Sequence, residues 1–161
     1  MVSSFFRRWH CIILCAIVQG IFANEAPKIE GIWTCSDKDC KVEIVKNGNT
    51  YEAKLLWARK EIDEKGNPKL DIKNPDPAKR NLPIIGGKTL WNATYNSGTG
   101  YFEEATAYRN GRYFCGKFKL NTNGTLSIVG YNCTFKFLKF SETWTRVKWL
   151  LSSCCPDEYR D

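Results

Sequence analysis

"CKVEIVKNGNTYEAKLLWAR", Cys40 to Arg59, is the stretch on which the fold turns. Val42 and Ile44 fall on one side of a first run, and Tyr51, Ala53, Leu55 and Trp57 on one side of a second. Successive side chains of a strand point to opposite faces, so each run has an apolar face. Between them stands "NGN", Asn47 to Asn49, and Asn-Gly readily adopts the positive φ angles of a tight hairpin. The stretch reads as two antiparallel strands with one buried side.

The same pattern continues outward in both directions. Gly31 to Cys35 is a strand ahead of the tight "SDKD" turn. Downstream runs are Ile84 to Tyr95, Gly100 to Tyr108, Arg112 to Leu120, Thr125 to Asn132 and Leu138 to Val147. "RNG" and "NTNG" mark two further turns. No segment holds helical periodicity over three turns. About eight strands joined mainly by tight hairpins predict an all-β fold, an up-and-down barrel that removes exposed edges by closing on itself. One long proline-rich loop, residues 60 to 83, interrupts the series. Pro75, Pro77 and Pro83 exclude both helix and inner strand there, because proline donates no backbone hydrogen bond.

The N-terminus has the layout of an export signal. Arg7 and Arg8 precede a largely apolar run from Trp9 to Phe22, and "IFA" ends at a small residue, Ala23. The predicted organisation is a signal peptide over 1–23, a barrel over 24–148 and a polar tail over 149–161. Because the apolar run contains His10 and Gln19 and is short of a membrane span, no stable membrane insertion is expected. Removing Arg7 and Arg8 takes the charge from +7 to +5, with no block of like charge. Export also argues against nucleic acid as a partner of this basic, aromatic chain. The only histidine is His10, so a processed chain lacks histidine-based nucleophilic catalysis, metal ligation and proton shuttling.

Six cysteines remain after the leader: Cys35, Cys40, Cys115, Cys133, Cys154 and Cys155. An even count in an exported chain reads as disulfides, and six thiols allow 15 connectivities. The strand layout suggests Cys35 with Cys40, across the first turn, and Cys115 with Cys133, across the "NTNG" hairpin. The second bridge would contribute about 3 kcal/mol in the chain-entropy account. Cys154 and Cys155 in the tail are candidates for bonds elsewhere, including a covalent dimer. No C-x-x-C pair occurs, and neither a metal nor a cofactor is expected.

Two sets of residues carry a family resemblance. "GIW" (Gly31 to Trp33) and "WTRV" (Trp144 to Val147) resemble the two ends of a lipocalin-type barrel. There the resemblance implies that Gly31, Trp33, Trp144 and Arg146 close the barrel, with Arg146 lying over the Trp33 indole. Asp71, Asn74, Pro75, Asp76, Pro77, Arg80, Pro83 and Gly86 reproduce a D-x-x-N-P-D-P-x-x-R-x-x-P-x-x-G signature. It resembles that of the exported, mainly bacterial "domain of unknown function 2147" family, and the likeness spans roughly residues 31 to 147. It implies a small lipocalin-like barrel outside the cytoplasm. The chain departs from the family's usual pattern at "AYRNGRYF" (Ala107 to Phe114), at Val129 and in its cysteines. Sequons at Asn92, Asn123 and Asn132 matter only in a eukaryotic secretory pathway.

An eight-stranded barrel has room for packed side chains or one small ligand. The functional expectation is therefore a secreted or periplasmic, non-enzymatic barrel binding a small apolar or amphipathic molecule. Trp57, Trp91, Tyr101, Tyr113, Phe118 and Trp144 either line a cup or fill the core. Asp76 and Arg80 either pair with each other to pin the proline loop or meet a ligand. Glu142 alternates in phase with Phe140, Trp144 and Arg146, which points it inward, with Arg146 as its expected partner. Glu103 and Glu104 are adjacent in a strand, so they face opposite sides and form no acid–base pair. The alternative is a disulfide-stapled module that binds another protein at an envelope or host surface.

Overall fold

A computed structural model describes residues 25–148. The expected leader and the tail with Cys154 and Cys155 lie outside the described residues. Eight strands form a closed barrel: β1 (Gly31–Thr34), β2 (Cys40–Asn47), β3 (Thr50–Ala58), β4 (Lys88–Asn96), β5 (Tyr101–Arg109), β6 (Arg112–Leu120), β7 (Thr125–Asn132) and β8 (Lys139–Arg146). Each pairs antiparallel with the next, and β8 returns to β1 through Trp33 with Arg146 and Thr34 with Thr145. The order is up-and-down, and one short 3-10 turn, Pro77–Lys79, sits in the long loop.

Alternation places the core. Trp33, Val42, Ile44, Tyr51, Ala53, Leu90, Ala93, Phe102, Ala105, Phe118 and Leu126 are buried inside the barrel. Phe102 stacks on Phe118 with centroids 5.0 Å apart and meets the Tyr51 edge at 4.9 Å. Burying a side chain of this size stabilises by roughly 1.5–3 kcal/mol, so these rings dominate the core. Cys35–Cys40 and Cys115–Cys133 are both bonded.

Three irregularities break the period of two. In β3 the partner of Lys41 is Trp57 and that of Val42 is Leu55, which leaves Leu56 as an extra residue. In β4 and β5 the extra residues are Asn92 (φ 61°) and Glu104 (φ 59°), both in the left-handed region. Buried positions there are three apart, Leu90 to Ala93 and Phe102 to Ala105. A bulge of this kind inverts the phase of the strand beyond it. Glu103 and Glu104 thus both lie outside, between two inward residues, instead of on opposite faces.

The two ends of the barrel differ. At one end residues 25–30 cross beneath the strands, and Trp33 Nε1 donates to the Ile29 carbonyl at 2.8 Å. The Arg146 guanidinium lies 4.4 Å from the Trp33 ring centroid and donates to the carbonyls of Glu30 and Lys28. Gly31 has φ 124°, and a Cβ there would stand 3.0 Å from Arg146 Nη1, so a larger residue would displace the guanidinium. This end is shut. The other end collects the Cys35–Cys40 turn, the proline loop, the Asn110-Gly111 turn and the loop between β7 and β8. We call it the mouth.

Replacing Arg146 with Ala should lower the unfolding free energy by about 2–4 kcal/mol, since it removes a cation–π contact and two charge-assisted hydrogen bonds whose full value exposure to solvent reduces. Urea titration checks this as a lower midpoint at unchanged slope. Arg146→Lys should recover less than half of the loss, since lysine lacks the planar fork that reaches two carbonyls.

Candidate functional site at the barrel mouth

The proline loop is held mainly by its own polar groups. Asn74 is buried; its amide donates to Asp71 Oδ2 at 2.7 Å, and its side-chain oxygen accepts from the Asp76 amide at 3.0 Å. Asp76 caps the 3-10 turn by accepting from the Ala78 amide, a bond that holds its carboxyl below the usual carboxylate range, and its salt bridge with Lys79 acts in the same direction. The expected Asp76–Arg80 pair does not form. Arg80 Nε instead donates to the Asn74 carbonyl at 2.8 Å, and Asp76 takes Lys79 as its ion partner at 3.2 Å. Short bridges, Leu70 with Pro83 and Ile62 with Pro68, close the arms.

A side-chain contact ties the middle of the loop to the barrel. Tyr108 donates its hydroxyl to Asp71 Oδ1 at 2.8 Å and accepts from the Gly111 amide at 3.1 Å. At Gly111 (φ 82°) a Cβ would sit 2.5 Å from the Lys73 carbonyl oxygen, so the loop presses on the β5–β6 turn where no side chain can stand. Asp71 and Asn74 thus hold the loop together, Asp76 caps its 3-10 turn, and Arg80 adds one bond through Nε.

Of the aromatic cup suggested by the sequence, Trp57, Trp91, Tyr101 and Tyr113 lie on the outer face. Trp57 and Trp91 are turned out by the bulges at Leu56 and Asn92; Lys41 lies over the Trp57 ring at 5.8 Å, and Trp91 meets Tyr113 edge-on at 5.9 Å. Tyr101 precedes the inward Phe102 and stacks under Lys117 at 4.4 Å. Tyr113 pairs with Tyr108 outside the barrel but reaches the rim of the mouth. Phe118 belongs to the core, and Trp144 packs against it.

Glu142 does face inward, with a different partner. Its Oε2 accepts from Trp144 Nε1 at 2.8 Å, and its Oε1 lies 3.6 Å from Arg109. Arg146, the partner expected from sequence, is engaged at the shut end. Arg109 also donates to Asp39 Oδ2 at 3.2 Å, so it straps the β1–β2 turn to β8 across the mouth. Cys35, Cys40 and Asp39 converge nearby, but the two sulfurs are bonded to each other and present no thiolate to a metal.

Beside this strap lies an open depression of about 590 Å³ lined by Arg112, Tyr113, Phe114, Asn132, Leu138, Lys139 and Phe140. Phe114 and Phe140 meet edge-on at 5.5 Å. Phe140 can lie flat there because Gly130 carries no side chain: a Cβ on it would overlap the ring. The lining contains two cations and no carboxylate. Sequence reading gave Arg109, Arg112, Phe114 and Leu138 to Phe140 no role at the mouth, though "TFKFLKF" (Thr134 to Phe140) carries a visible alternation of aromatic and basic residues. A second depression, about 350 Å³, lies at the shut end against Ala26, Lys46, Asn49, Tyr51, Thr94 and Tyr95.

Residues 31–146 match the family described as "Uncharacterized protein conserved in bacteria", domain of unknown function 2147, and the chain belongs to that family. No curated protein matches the sequence. Among solved structures, the chain is similar to protein HP1028 from the human pathogen Helicobacter pylori, described as belonging to the lipocalin family. The two share 21% identity at a TM-score of 0.62, over 75% of this chain and 84% of that one. At that identity the likeness is one of fold, an eight-stranded lipocalin-like barrel.

Burial, and then the bond to Asp71, push the Tyr108 hydroxyl up from 10.0 to about 12. The neutral phenol is the donor, so its contribution is complete below pH 10.0 and is lost as pH rises toward about 12. Tyr108→Phe should cost about 1–2 kcal/mol at neutral pH, the value of a part-exposed hydrogen bond to a carboxylate. It should also flatten the alkaline loss of stability and speed amide exchange in residues 70–82. Equal exchange in the two proteins would contradict the pin.

Proposed function

We propose that the protein is exported and that its barrel takes up a small single-chain amphiphile bearing an anionic head, without a catalytic step. The observation that carries this reading is the lining of the mouth. Phe114, Leu138 and Phe140 supply apolar surface for a tail, and Arg112 and Lys139 stand at the rim with no acidic neighbour in the lining. The opposite end is plugged by Trp33 and Arg146, which leaves the mouth as the way in.

Other features support the reading. Two closed disulfides suit an oxidising compartment outside the cytoplasm, as does the leader-like N-terminus. Among the described residues there is no histidine, Glu103 and Glu104 lie outside, and Glu142 is already engaged by Arg109 and Trp144. No free carboxylate pair faces the depression, so acid–base chemistry lacks its groups there.

Calorimetry with dodecanoate, below its micellar concentration, tests this reading. Dodecanoate should bind at one site, and dodecyltrimethylammonium, with the same tail and the opposite charge, should not. Arg112→Glu should weaken dodecanoate binding about tenfold or more, the value of one charge-assisted contact. Equal binding of both amphiphiles, or of neither, would refute the proposal.

A further inference from the structure

The loop between β7 and β8 exposes more apolar surface than a soluble turn requires. Phe135, Phe137 and Leu138 are 55%, 77% and 56% exposed, and Phe140 and Tyr113 stand exposed beside them. Scattered apolar residues on a surface need no explanation, whereas a contiguous patch marks an interaction site. The loop's own bonds enforce this exposure. Asn132 Oδ1 accepts from the amides of Thr134 and Phe135, both at 2.9 Å, and the Leu138 amide donates to the Phe135 carbonyl at 3.0 Å. The Asn132 amide donates to the Leu138 carbonyl, and Cys133 is fastened to Cys115. Held this way, the rings of Phe135 and Phe137 meet edge-on at 6.1 Å.

The loop and the lining of the depression carry charge of one sign. Lys136 and Lys139 alternate with the aromatics, and Arg112 lies across the depression from Lys139. No acidic residue occurs between Glu104 and Glu142. Glu142 itself points into the barrel, where Arg109 and Trp144 engage it.

We propose that this loop is a docking element for an anionic lipid surface. Phe135 and Phe137 enter the interfacial layer, and Lys136, Lys139 and Arg112 meet the headgroups. A second copy of the chain suits the patch poorly, because a two-fold contact would set the same lysines against one another. A protein partner would need a far larger complementary surface, about 800 Å² on each side, than six loop residues provide. A fluid interface needs no matching pocket, only apolar side chains flanked by cations. Docked in this way, the barrel presents its mouth to the lipid.

The surface shares Arg112 and Lys139 with the amphiphile site, but Phe135, Lys136 and Phe137 do not line the depression, so variants at those three test the docking alone. Its test is co-sedimentation of the protein, recovered from a secreting host, with vesicles. One set is phosphatidylcholine alone, the other an equal mixture of phosphatidylcholine and phosphatidylglycerol. The protein should bind the anionic vesicles, bind the neutral ones far less, and dissociate in high salt. Phe135→Ser with Phe137→Ser, and separately Lys136→Glu, should each lower partitioning by about tenfold or more while leaving the thermal midpoint and dodecanoate binding unchanged. Binding that these variants leave intact would overturn the assignment, as would no binding to either vesicle. A dimer in sedimentation velocity that Phe137→Ser dissociates, without vesicle binding, would give the patch to a second copy and also overturn it.

Discussion

A guanidinium laid across an indole closes this barrel. β1 and β8 are separated by almost the whole domain and share two residue pairs, against four between β1 and β2. Bringing such distant segments together costs loop-closure entropy that two ladder pairs offset poorly. The seam is reinforced by side chains: Arg146 stacks on Trp33 and donates to the carbonyls of Lys28 and Glu30, and Trp33 ties back to Ile29. Gly31 is the concession that makes room for the guanidinium. A barrel that failed here would expose two strand edges, which is the hazard that closure removes.

The closed end makes the molecule polar along its axis. Rings and aliphatic side chains fill the lower half, from Trp33 and Ile29 to Phe102, Phe118 and Leu126. Toward the mouth small residues replace them: Ala105, Ala107, Gly116 and Gly130 face inward, and Phe140 lies over Gly130. The longest loop folds against the outside of the β5–β6 hairpin through Asp71 and Tyr108, leaving the opening uncovered on the β6–β8 side. Rigid architecture on one side and exposed aromatics on the other give the mouth a direction.

The hairpins were legible because their turns need residues that announce themselves. Asn-Gly at Asn47-Gly48 and Asn110-Gly111 ends two strands with little ambiguity, and alternation within β2, β6 and β8 survives intact from sequence to structure. The inner lining was less legible because bulges at Leu56, Asn92 and Glu104 each shift the phase by one residue. Trp57 and Trp91, inward by simple alternation, therefore stand outside. Asn92 tolerates left-handed geometry and hints at its bulge; Glu104 gives no such hint. Ion partners were the least legible. Glu142 and Arg146 share a strand face, yet each bonds elsewhere, Glu142 to Arg109 from the opposite wall and Arg146 to the N-terminal segment. Sequence proximity favoured the wrong pairs, since strands remote in the chain meet only on closure.

The shut end is structural, and the proposed amphiphile enters at the mouth. Hydrogen–deuterium exchange with and without dodecanoate tests it most directly. Dodecanoate should slow exchange in residues 112–114 and 132–140 and leave residues 26–33 and 46–51 unchanged. Protection centred on Ala26, Tyr51 and Tyr95, at the depression of the shut end, would contradict it.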